Sequence, residues 1–145
     1  MKNGFKIALI KAEVPFALLY ARVGAGFIDE GPNEVGIAHW TEHGVFRGTK
    51  RHPHRFQFMR ALENLSIESN ATTNFDKTDF YFISPKENIK QALSQMGDLL
   101  RDPLLRPEDM LDESEPVKAE LKRRAVNPAT LLFEDAIRLH AKLLG

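Results

Sequence analysis

A chain of 145 residues is long enough for one domain with a real core, and 43% hydrophobic with 28% charged side chains excludes wholesale disorder. Twenty basic residues balance twenty acidic ones, so the net charge of zero recommends neither nucleic acid nor an anionic membrane as a partner. Cysteine is absent, which removes disulfides and thiolate metal sites; any metal has to be held by His, Asp or Glu.

The first residues, Met1 to Lys6, lack a sustained apolar core followed by a small-residue cleavage site. The apolar run from Pro15 to Ala21 is too short to span a bilayer before Arg22 ends it. The expectation is a soluble, cytoplasmic protein.

Phe5 to Ile10 and Phe16 to Val23 read as two strands separated by Lys11 to Pro15. Gly24 and Gly26 stop the second, and Asp29 to Asn33 is a polar loop. A helix is expected from Asn33 or Glu34 to about Phe46, followed by a basic turn from Arg47 to Pro53. Phe56, Met59, Leu62 and Leu65 fall at helical spacing, predicting a second helix over Arg55 to Asn64. Ile67 to Asn74 and Thr78 to Ile83 read as paired strands, the latter rich in aromatics. Pro85 leads into an amphipathic helix carrying Ile89, Leu93, Met96, Leu99 and Leu100. Arg106 opens a fourth helical region reaching about Arg124, and Asn127-Pro128 starts a last helix to Leu144. The order β-β-α-α-β-β-α-α-α is an α+β layout, with helices against a mixed or antiparallel sheet in one domain over residues 1–145.

The first long helix holds the most informative segment, His39-Trp40-Thr41-Glu42-His43. Positions i and i+4 share a helix face and i+3 lies beside them, so both imidazoles can grip one metal while Glu42 points at a water bound to it. This is the inverted H-x-x-E-H form of the zinc hydrolase helix. With 5 His and 12 Glu the pattern arises by chance in roughly one of 70 such chains, so it needs support from elsewhere in the sequence.

A catalytic zinc site uses three protein ligands and leaves its fourth position to water. The candidate third ligand is Glu120, 77 positions after His43. Glu113 lies seven before it, about two helical turns, and a carboxylate there could orient a ligand histidine through its second ring nitrogen. His52 and His54 flank Pro53 in a basic loop, and His140 sits near a helix end; none has the paired helical spacing that zinc sites exploit.

The spacing H-x-x-E-H, 69 residues, Glu, six residues, Glu resembles the pitrilysin, insulinase and mitochondrial processing peptidase family. Gly24 to Glu30, Gly36-Ile37-Ala38, Phe46-Arg47-Gly48-Thr49 and Asp102-Pro103-Leu104 extend the likeness. Ser69 to Asp76, with Thr78 and Tyr81, resembles that family's strand pair beside the active site. The resemblance implies one zinc ion held by His39, His43 and Glu120, with Glu42 as general base and Glu113 behind the ligands. It also implies a peptide substrate laid along Ser69, Asn70, Ala71 and Thr72 by β-augmentation.

Members of that family generally carry a longer first domain and a second homologous half, which supplies an arginine and a tyrosine to the substrate. This sequence stops at Gly145 with neither, so the expectations are a piece of a longer chain, a naturally short form, or one part of an assembly such as a homodimer or a complex with a partner carrying the missing half. The competing reading is a peptide-binding or scaffold subunit without turnover of its own; a zinc hydrolase acting on a non-peptide substrate is a third. Pro116 falls between Glu113 and Glu120: it either kinks a continuous helix, misaiming Glu113, or serves as the first residue of a new one.

Overall fold

The computed structural model describes residues 6–132 together with 135, 136 and 139. Three strands, β1 (Phe16–Val23), β2 (Glu68–Thr73) and β3 (Thr78–Pro85), form an antiparallel sheet in the order β1-β3-β2. Alternation along β3 explains its central place. Phe80 and Phe82 point to one face, where Phe82 stands opposite Leu19 on one side and Ser69 on the other.

That face receives the helices α1 (Ile37–Val45), α2 (Arg55–Glu63) and α3 (Ile89–Arg101). Phe58 and Leu62 of α2, Ala92, Met96 and Leu99 of α3, and Val45 of α1 close over Leu19, Phe80 and Phe82. The Phe46 ring bridges helix and sheet, with its centroid 6.5 Å from that of Phe58 and 6.2 Å from that of Phe80. Each large side chain buried here stabilises the fold by about 1.5–3 kcal/mol. The fourth helix, α4 (Pro107–Ala125), packs against α1.

The α+β class is as the residue pattern predicts, but two elements differ. The expected first strand does not form: residues 6–10 carry no strand, and Leu9 is 94% exposed. Strand-forming residues need a partner edge and an apolar face to lie on, and Ile7, Leu9 and Ile10 find neither among the described residues. Phe5 lies outside the described residues. The first long helix begins at Ile37 instead of Asn33 or Glu34, because Gly36 takes a left-handed conformation (φ 88°) that interrupts a helix. Residues 128–132 are helical, and most of the expected last helix towards Leu144 lies outside the described residues. Among the described residues no helix is long and apolar enough to cross a membrane.

Candidate metal centre

The site is built on α1, which is fixed at several points. Glu30 caps its start, its carboxylate oxygens accepting from the backbone N–H groups of Gly36 (2.8 Å) and Ala38 (3.0 Å). A side chain at Gly36 would collide with Leu121 of α4, and one at Gly44 with Met110. Those two glycines let the helices approach. Between them, the Trp40 indole N–H donates to the Met110 carbonyl at 2.7 Å.

This packing brings His39, His43 and Glu120 together. One candidate ligand atom from each lies within 4.8 Å of the others. Glu120 Oε2 stands 3.4 Å from His39 Nε2 and 3.7 Å from His43 Nε2. The imidazoles meet edge to face, with centroids 4.8 Å apart. Burial, the largest influence, holds the His39 pKa below its ordinary value despite Glu42 and Glu120, which favour the charged ring; His43 and Arg124 add to the lowering. A neutral ring is the form that offers a lone pair to a metal.

Glu113 lies behind His43, buried at 4% exposure. Its Oε2 is 2.9 Å from His43 Nδ1. A carboxylate can only accept, so Nδ1 carries the hydrogen in this bond, and Nε2 is the ring nitrogen turned towards Glu120. Glu113 Oε1 accepts from Arg47 Nη1 and Arg55 Nη1, both at 3.1 Å. Arg47 also reaches Asp112 at 2.8 Å and Asp109 at 3.6 Å. Pro116 neither misdirects Glu113 nor divides the helix: α4 runs unbroken over Pro107–Ala125 with both glutamates turned to the histidines.

Glu42 points to β2, where the Thr73 hydroxyl donates to its Oε2 at 2.5 Å. β2 is an edge of the sheet alongside α1, so Ser69, Asn70, Ala71 and Thr72 present one backbone edge that pairs with no other strand among the described residues. Asn70 Oδ1 accepts from the Ala71 N–H at 2.8 Å. His52 and His54 lie away from the cluster, His54 forming the N-cap of α2. Arg47, Arg55 and the Thr73 contact escape the sequence reading. The arginines sit in and just after what reads as a basic turn, and nothing local ties them to a carboxylate more than fifty positions on.

The fold and site together define an antiparallel α+β domain with a His-His-Glu cluster and a further carboxylate beside it on the same helix. The model of the Insulinase (Peptidase family M16) family matches residues 6–143, and the chain belongs to that family. It is 29% identical over 137 residues to the insulin-degrading enzyme of Mus musculus, covering 92% of this chain and 13% of that protein. It is also 29% identical over 139 residues to a protein named an uncharacterized zinc protease from Rickettsia bellii, covering 92% of this chain and 32% of the relative. The crystal structure of a protease from Helicobacter pylori shares the fold, with a TM-score of 0.73 at 24% identity over 83% of this chain and 29% of that one. The chain therefore spans less than a third of the length of these relatives.

Proposed function

We propose that this chain carries the active site of a zinc metalloendopeptidase that cleaves unfolded peptides, with one zinc ion held by His39, His43 and Glu120. The observation that carries this reading is the convergence of two imidazole Nε2 atoms and one carboxylate oxygen beside Glu42. The donor set fits zinc, which takes nitrogen and oxygen ligands and keeps a position open when only three come from protein. Relatives named as zinc proteases agree with it.

When bound, zinc lowers the pKa of a coordinated water towards about 7 and polarises a carbonyl. Glu42 takes the proton of the attacking water and passes it to the leaving amine. Glu113 holds the His43 tautomer whose Nε2 is free. The open edge of β2 receives the peptide backbone to backbone, which tolerates varied sequences. An incoming strand replaces Asn70 Oδ1 as acceptor for the Ala71 N–H.

Glu42→Gln is expected to keep zinc, measured by elemental analysis, and to abolish peptide hydrolysis. Equal hydrolysis by mutant and wild type rejects Glu42 as base. Because the matched region makes up less than a third of the named relatives, the second reading is a peptide-binding subunit that turns over only with a second copy or a partner. Native mass together with bound but uncleaved peptide distinguishes it.

A further inference from the structure

We propose that Thr73 is a positioning residue for Glu42, an inference that rests on the peptidase reading above. Thr73 ends β2 and is 3% exposed, so its hydroxyl hydrogen has to find an acceptor within the protein. That acceptor is Glu42 Oε2, at 2.5 Å. A carboxylate bonded to a neutral hydroxyl through one oxygen presents the other, Oε1, for proton transfer. Glutamate has three side-chain torsions to fix, and an anchor on Oε2 restricts them before any substrate arrives.

The position of Thr73 adds a second consequence. It is set by strand register, opposite Thr78 of β3, and not by α1. The same strand carries Ser69 to Thr72, so one hydrogen bond joins the base on the helix to the edge that receives the peptide. Thr73 touches neither histidine nor Glu120 through this bond, which separates its effect from metal binding.

Thr73→Val keeps the shape and removes the donor. In the zinc-loaded protein with any partner it requires, kcat on a peptide is expected to fall about 10- to 100-fold, while KM and zinc affinity stay within about twofold. Thr73→Ser restores the donor and is expected to bring kcat back to within about threefold of wild type. Unchanged kcat in Thr73→Val, or a loss confined to KM or zinc affinity, overturns the proposal. The contact is also readable without turnover, as an exchange-protected Thr73 hydroxyl proton in NMR. It is expected in wild type and in Glu42→Gln, whose amide oxygen still accepts, and lost in Glu42→Ala. A wild-type hydroxyl without protection overturns the positioning role. Absent hydrolysis by zinc-loaded wild type rejects the peptidase reading instead.

Discussion

Two glutamates seven positions apart on α4 both face His43 and are treated in opposite ways. Glu113 is closed in, its carboxylate accepting from Arg47 and Arg55 and facing His43 Nδ1. Glu120 has 41% of its side chain exposed and stands 3.4–3.7 Å from two ring nitrogens. A buried charge is tolerated only when its partners replace water, so Glu113 is bound up with folding. A carboxylate left half in solvent beside two ring nitrogens is free to bind something else. The contrast separates a residue that holds the scaffold from one that faces the chemistry.

Removing each glutamate tests that contrast most strongly. Glu120→Ala is expected to weaken zinc affinity at least about 100-fold while the metal-free Tm moves by no more than about 2 °C. Glu113→Ala removes the buried acceptor shared by His43 Nδ1, Arg47 and Arg55 and is expected to cost about 2–3 kcal/mol, lowering Tm by roughly 5–10 °C. Its effect on zinc affinity is expected to be smaller, about 10- to 100-fold, acting through the orientation of His43. Chelator competition and calorimetry measure both quantities, and equal stability losses at the two sites would break the comparison.

The two arginines sharpen it. The Arg47 side chain is 19% exposed and serves three carboxylates, whereas that of Arg55 is 57% exposed. In urea unfolding Arg47→Met is expected to cost about 1–2 kcal/mol and Arg55→Met under about 0.5. A larger loss at Arg55 means that Glu113 depends chiefly on the exposed cation.

The smallest effect is at His39. Its NMR titration midpoint in the metal-free protein is expected below the ordinary 6.5. Between that lower midpoint and 6.5 the unfolded chain holds more protons at this position, so acidification through this window withdraws stability that the neutral ring contributes above it. A midpoint at or above 6.5 contradicts the burial argument.

The helical part of the site was readable because 3.6-residue geometry converts spacing directly into a shared face. The shared face of His39 and His43, with Glu42 beside it, follows from that rule, and so does the seven-residue step from Glu113 to Glu120, since Pro116 leaves α4 continuous. Contacts fixed by strand register or by packing of distant helices were not readable. Thr73 reaches Glu42 because of where β2 lies, and Arg47 reaches Glu113 because α1 and α4 meet at two glycines. Residues 6–10 fail in the other direction: a strand-like composition was present, but no neighbouring edge came with it.

The indole that bonds Met110 belongs to the protein's single tryptophan, and it follows His39 directly in the chain. The molecule thus carries an intrinsic fluorophore at the seam between the helix bearing both histidines and the helix bearing both glutamates. Its emission is expected to respond to changes at that seam, so ion titrations and unfolding can be followed optically on the unlabelled chain.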